Sequence, residues 1–197
     1  NLMDKNNNSG TLLNGTAFST NNNGYFDFDG TNDYATVANI DALNNLITDE
    51  LTIETFIRAD NVSSYNLIGG LQDTTSVRYS GAFNIGITSG AIGFDVENVY
   101  GQSRLSTGSG FASTEIWYHI VGTHKPYLAK LYIDGVSKSS TTSVQGNLVN
   151  FDGLVIASDI SPQRYFNGQM GFFKVYNRAL EESEVLQNYN ALKDRFI

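Results

Sequence analysis

One short turn of the sequence carries the oxygen atoms that a calcium ion prefers. It contains Asp29, Asn32 and Asp33. Ca²⁺ is bound by clustered carboxylate, amide and backbone carbonyl oxygens. The alternative is that Asp29 and Asp33 accept hydrogen bonds from backbone N–H groups and so stabilise the turn itself. Both interpretations fit these residues, so calcium is a possible cofactor, although none is required.

Several aromatic and basic residues at loop-like or strand-end positions are candidates for a sugar-binding site. Such a site combines aromatic rings with a few polar side chains that fix the ligand. The aromatic candidates are Tyr65, Tyr79, Tyr100 and Phe111, and the candidate hydrogen-bond donors are Arg78, Arg104 and Arg164. The competing interpretation is that the aromatic rings fill the core of the protein.

Closely spaced carboxylates raise the question of glycoside hydrolysis, which uses two nearby acidic side chains. Asp27 and Asp29 share one face of a predicted strand, and Glu54 lies elsewhere. Phenylalanines flank both aspartates, and Asp29 leads directly into a turn. The crowded glutamates at 181, 182 and 184 are explained by the start of a helix. We therefore expect no catalytic carboxylate pair.

The sequence contains few residues that could support other kinds of catalysis. The chain has 2 histidines and no cysteine, which excludes thiol nucleophiles and cysteine zinc sites. His119 alternates with Trp117 and Val121, so we expect it to be packed or hydrogen-bonded on a sheet face. His124 opens a His-Lys-Pro turn, and we expect it to be exposed. The sequence thus predicts that the protein is not an enzyme and has no catalytic residues.

The composition indicates one domain, residues 1–197, with a substantial core. Hydrophobic residues make up 41% of the 197 residues and aromatic residues 12%. The net charge is −8, and an acidic surface repels phosphate backbones, so we expect no nucleic-acid partner. No apolar run approaches the roughly 20 residues of a membrane span, so we expect no membrane insertion.

Alternating strands separated by tight turns dominate the chain before its last helix. Residues 51–59 alternate apolar and polar side chains, and Asp134-Gly135 joins two strands as a hairpin turn. This rhythm predicts an antiparallel sandwich. In residues 1–24, Asn14-Gly15 predicts an edge hairpin followed by a loop.

The closing segment predicts one helix, at residues 181–192. With Glu181 as the N-cap residue, Glu184 completes a capping box. We expect the helix to dock on the sandwich through one apolar stripe. The stripe consists of Val185, Leu186, Tyr189 and Leu192.

Five stretches of the chain, in order, resemble laminin-G-like, concanavalin A-like jelly-roll domains. They are YFDFDGTNDYATV (25–37), LTIETFIR (51–58), IWYHIV (116–121), LYIDGV (131–136) and FNGQMGFFKVYNRAL (166–180). The resemblance implies an all-β fold, a two-sheet antiparallel β-sandwich of the jelly-roll type with one C-terminal helix. Many relatives hold calcium with an acidic residue after the Phe-x-Gly of the late strand. This chain has Gln169 and Met170 there, a departure that weakens the calcium expectation.

The ending YNRALEESEVLQNYNALKDRF resembles such domains in structural proteins of tailed bacteriophages. This resemblance implies a structural or adhesion domain of a phage virion, as a capsid decoration, fibre or spike component. The implied partners are other virion proteins, copies of the chain itself and a cell-surface glycan, and the implied location is the virion. The alternative is a secreted, extracellular bacterial carbohydrate-binding module. A glycoside hydrolase is the third interpretation, by analogy of fold alone.

Overall fold

The computed structural model describes residues 2–3, 9–21, 24–37, 49–72, 83–98, 101–144, 151, 153–159 and 164–196. The described strands form two antiparallel sheets that pack face to face, and one helix follows them. The all-β sandwich prediction is confirmed. In chain order the elements are β1 (Leu2–Met3), β2 (Ser9–Leu13), β3 (Ala17–Ser19), β4 (Tyr25–Asp29), β5 (Tyr34–Val37), β6 (Leu51–Ala59), β7 (Asn66–Gln72), β8 (Phe83–Thr88), β9 (Ala91–Asn98), β10 (Gly101–Ser106), β11 (Trp117–Lys125), β12 (Leu128–Ile133), β13 (Val136–Thr141), β14 (Gly153–Ile156), β15 (Asn167–Tyr176) and α1 (Glu182–Phe196).

The sheets differ in size and in what covers their outer faces. Within the described residues, the eight-stranded sheet has the order β1-β2-β5-β14-β7-β8-β9-β10. The seven-stranded sheet has the order β13-β12-β11-β6-β15-β4-β3. Helix α1 packs on the outer face of the seven-stranded sheet, where its Val185 joins Val121 of β11 and Tyr132 of β12 in one cluster.

Alternation along the strands builds the core between the sheets. On β6, Leu51, Ile53 and Ile57 point inward and are fully buried, as the period of a strand requires. Phe94 of β9 crosses from the opposite sheet and lies against Gly122 of β11. A Cβ atom at Gly122 would come within 2.5 Å of the Phe94 ring, so this glycine makes room for a large side chain between the sheets.

The predicted N-terminal edge hairpin is wrong. The turn at Asn14 and Gly15 exists, but β2 pairs with β5 in one sheet and β3 pairs with β4 in the other. Gly15 has φ 145°, whereas the second residue of a tight I′ turn needs about +90°. The chain therefore crosses between the sheets here and crosses back after β4. Asn14 Nδ2 donates to Asn32 O at 2.9 Å and joins the two crossing turns.

The helix begins as predicted and ends later. Glu181 N donates to Glu184 Oε2 at 2.9 Å, which is the capping-box bond. Arg178 also donates two bonds to the Glu184 carboxylate, at 2.6 and 2.7 Å, and lowers the pKa of Glu184 to about 2. The helix continues to Phe196, beyond the expected end at residue 192.

The position that anchors the end of the helix is Phe196, which the predicted stripe omitted. Its ring lies 4.7 Å from the Phe56 ring and 4.7 Å from the Trp117 ring, centroid to centroid. Phe196 is 7% exposed, whereas Leu186 is 45% exposed. Leu186 is therefore only partly buried, and it lies beside Gly135 in the turn after β12, where it contributes less to docking than Phe196.

The prediction that His124 is exposed is also wrong. Strand β11 continues through His124, whose register partner on β6 is the core residue Leu51. The imidazole therefore points into the core, where it lies 5.5 Å from the Phe83 ring and has no exposed surface. Burial lowers the pKa of His124 to about 4.

We predict that Phe196→Ala destabilises the protein by about 3 kcal/mol, because the substitution removes a buried aromatic ring from between two others. Leu186→Ala is the matched control on the same helix, and it should cost less than about 1 kcal/mol, because this side chain is 45% exposed. Urea unfolding of both variants measures the difference. Equal destabilisation by the two substitutions would contradict the assignment of Phe196 as the anchor.

We further predict that the free energy of unfolding falls by about 2 kcal/mol between pH 7 and pH 5 on account of His124. The unfolded chain takes up a proton near the ordinary histidine pKa of 6.5, and the folded protein does so only near 4. Stability from this group is thus complete above pH 6.5 and is lost as the pH falls toward 4. The variant His124→Leu keeps every carboxylate. Its free energy of unfolding in urea should lack the part of the pH dependence that His124 causes. Parallel pH curves for the variant and the wild type would disprove it.

Candidate functional site

The outer face of the eight-stranded sheet carries a row of polar side chains. On β9, Phe94 and Val96 point into the core, so Asp95 between them points outward. The antiparallel register places Asn84 of β8 on one side of Asp95 and Arg104 of β10 on the other. Three neighbouring strands therefore present an amide, a carboxylate and a guanidinium side by side.

Two glycines next to this row let large side chains lie flat on the sheet. Gly86 and Gly93 are register partners on β8 and β9. A Cβ atom at Gly86 would lie 3.2 Å from Cε2 of Tyr65, and one at Gly93 would lie 2.9 Å from Nη2 of Arg104. Any larger residue at either position would push the tyrosine or the arginine away from the sheet.

Tyr65 and Arg164, both predicted ligand residues, meet at this place. The Arg164 guanidinium carbon lies 4.8 Å from the Tyr65 ring centroid, and that of Arg104 lies 5.8 Å from it. With the ring thus covered, Tyr65 acts as a wall of the site rather than as a stacking platform. The site is an open cavity of about 250 Å³ lined by Tyr65, Thr88, Asp95, Gln102, Arg104 and Arg164.

The floor of the cavity holds polar atoms that the described protein residues do not satisfy. Asp95 is 3% exposed, and its Oδ1 has no hydrogen-bond partner among these residues. Asn84 beside it is fully buried, and neither atom of its amide group has such a partner. Burial raises the pKa of Asp95, although Arg104 opposes the rise. Buried polar groups are nearly always hydrogen-bonded, so these atoms call for a ligand or solvent.

Sequence reasoning missed Asp95 and Asn84, although one signal was available. A lone aspartate between Phe94 and Val96, in the middle of an apolar alternation, marks a carboxylate at the centre of an outward sheet face. Of the other sugar-site candidates, Tyr79, Tyr100 and Arg78 lie outside the described residues. Phe111 lies apart from the cavity and packs against Tyr118, with 6.1 Å between the ring centroids.

The predicted calcium turn is held by its own hydrogen bonds. Asp29 Oδ1 accepts from Thr31 N at 2.7 Å and from Asn32 N at 3.3 Å, and the Thr31 bond is the main cause of its lowered pKa. Asp33 Oδ2 accepts from Asp29 N at 3.2 Å. Within the described ranges, no group of three or more His, Cys, Asp or Glu residues is arranged to hold a metal ion. Calcium binding stays a prediction, which thermal unfolding with calcium or a chelator tests.

A second polar cluster lies under helix α1, and the carboxylate at its centre is hydrogen-bonded within the fold. His119 Nε2 donates to Glu54 Oε1 at 2.8 Å, which confirms that His119 is hydrogen-bonded on a sheet face. Tyr176 donates a short bond to Glu54 Oε2, and Asn188 of the helix donates to the same oxygen at 3.3 Å. Burial alone would raise the pKa of Glu54, but the bonds from His119 and Tyr176 bring it below its ordinary value.

A family model described as the concanavalin A-like lectin/glucanases superfamily matches residues 29–186. The chain belongs to this superfamily. A search of curated proteins found no match. Within the described residues, no helix is long and apolar enough to span a membrane.

Solved structures with the same fold include binding domains of toxins. The botulinum neurotoxin serotype G binding domain is 15% identical with a TM-score of 0.73, and the match covers 94% of this chain and 46% of that one. The binding domain of Paraclostridial Mosquitocidal Protein 1 is 18% identical with a TM-score of 0.73, covering 95% and 48%. The botulinum neurotoxin DC binding domain, solved in complex with SialylT, is 14% identical with a TM-score of 0.73, covering 94% and 47%.

This chain therefore spans about half the length of the solved structures it matches. At these identities the likeness concerns the fold. The resemblance of the closing segment to phage proteins stays a prediction.

Proposed function

We propose that this protein is a non-catalytic binding domain that holds a glycan in the cavity formed by Tyr65, Asp95, Arg104 and Arg164. The observation that carries the proposal is Asp95, a nearly buried residue of the cavity lining whose Oδ1 has no hydrogen-bond partner among the described residues. Sugar hydroxyl groups both donate and accept hydrogen bonds. They therefore suit a site that combines an acceptor with the several N–H donors of two arginines.

The superfamily and the toxin binding domains support a binding role in general terms. The cavity volume of about 250 Å³ is slightly below the usual range for ligand sites, which begins near 300 Å³. The site therefore suits one ring-sized unit, such as a terminal sugar, better than a long buried chain.

Hydrolysis is the competing function at the same place, because Asp95 and Glu97 share the outward face of β9. A glycosidase needs one carboxyl to act as an acid and another as nucleophile or base. Burial raises the pKa of Asp95, and the Arg104 guanidinium 3.7 Å away opposes that rise and stabilises the carboxylate. Because the solved structures of this fold described above are binding domains, we propose binding without cleavage, and release of reducing ends from a bound oligosaccharide would contradict it.

The biological setting is a separate proposal, based on the closing segment. We place the domain on a phage virion as a structural or adhesion component, with other virion proteins or copies of itself as neighbours. The alternative, a secreted bacterial carbohydrate-binding module, uses the same cavity. Mass spectrometry of purified virions distinguishes the two, because a virion component is present there in stoichiometric copies.

We predict that Arg104→Ala weakens glycan binding at least tenfold, because Arg104 both forms a wall of the cavity and faces Asp95. Arg58→Ala is the matched control, since Arg58 is also an ion-paired strand arginine but belongs to β6 in the other sheet. A glycan array followed by calorimetry on the best ligand gives the comparison. Equal loss in both variants, or no loss in either, would argue against this cavity as the site.

A further inference from the structure

We propose that the cavity selects an uncharged, hydroxyl-bearing sugar unit and disfavours units that carry a carboxylate, such as sialic or uronic acids. This inference rests on the proposed function and specifies the class of ligand. It depends on the charges around the cavity and on what the buried acceptor requires.

Each arginine of the site faces a carboxylate. Arg104 Nη1 lies 3.7 Å from Asp95 Oδ2, and Arg164 Nε lies 3.8 Å from Asp159 Oδ2. Both aspartates are almost completely buried, at 3% and 2% exposure. The positive charge of the two guanidiniums is therefore balanced by buried carboxylates, and the site offers an incoming anion no net positive charge. The anion would lose its hydration shell without gaining a full counter-charge, which is unfavourable.

The buried acceptor adds a second, independent requirement. An ionised carboxylate only accepts hydrogen bonds, so the Asp95 carboxylate favours a ligand that brings a donor to the cavity. A sugar hydroxyl supplies that donor, whereas a ligand carboxylate has none and would leave Oδ1 unsatisfied. An unsatisfied buried polar group costs about 1–3 kcal/mol, and more when it is charged. Specificity of this kind comes from the group that the wrong ligand leaves unpaired.

The remaining groups suit the same ligand. Arg104 and Arg164 line the cavity, and guanidinium N–H groups can donate to hydroxyl or ring oxygens. Burial raises the pKa of Tyr65, so its phenol stays a neutral hydrogen-bonding group at pH 7. Thr88 and Gln102 complete the lining with uncharged polar groups. Within this lining, Asp95 is the specificity-determining residue.

The test uses the full chain and pairs of glycans that differ only in charge. Lactose is compared with sialyllactose, and a glucose-terminated oligosaccharide with its glucuronic acid counterpart, by calorimetry or NMR titration at pH 7. We expect the neutral member of a pair to bind at least tenfold more tightly. In Asp95→Asn the difference in affinity between the two members should become smaller, because the neutral member should bind more weakly and the acidic one more tightly. Asp60→Asn, at an exposed aspartate that is not among the cavity-lining residues, should keep the wild-type preference.

The outcomes separate the inference from the proposed function. Tighter binding of the acidic members, abolished in Arg164→Ala, would overturn the inference and leave glycan binding in place. Failure of the folded wild type to bind any member of a broad array would remove the proposed function and the inference with it. Asp95→Ser provides a second variant should the amide destabilise the sheet, and circular dichroism verifies the fold of each.

Discussion

The two sheets share one core, so every second side chain of each inner strand points outward. The rest of the structure depends on what those outward side chains contact. On the seven-stranded sheet they meet helix α1, which covers Glu54, Phe56 and His119. On the eight-stranded sheet, Asp95 lines the cavity instead, with Asn84 as its register partner on β8. The same strand geometry thus yields one face covered by the helix and one face that carries the proposed binding cavity.

The two buried carboxylates of these faces show why only one of them indicates a ligand. Glu54 is fully buried, but hydrogen bonds from His119, Tyr176 and Asn188 stabilise its negative charge and fasten the helix to the sheet. Asp95 is nearly as buried, yet its Oδ1 has no such bond among the described residues. Burial alone does not distinguish a structural from a functional carboxylate; the difference lies in whether the fold itself satisfies the group.

Local patterns in the sequence predicted what is decided locally. The Asp134-Gly135 turn, with φ values of 52° and 77°, and the Glu181–Glu184 capping box are set by residues close in the chain. The sheet to which a strand belongs is decided by residues far apart in the chain. For this reason the sequence predicted a hairpin of β2 and β3, although the two strands belong to different sheets. His124 was mistaken for a surface residue because Phe83, which covers it, comes from the opposite sheet.

The site was partly predictable for the same reason. Tyr65 and Arg164 have suitable chemistry and were found, but the meeting of Asn84, Asp95 and Arg104 depends on the register of three strands, and β10 was not predicted. Structures with 14–18% identity to this chain share its fold, and a fold alone does not determine which ligand is bound. We therefore base the proposed ligand class on this chain's own outward side chains, Asp95 and Arg104, and propose a hydroxyl donor rather than an anion.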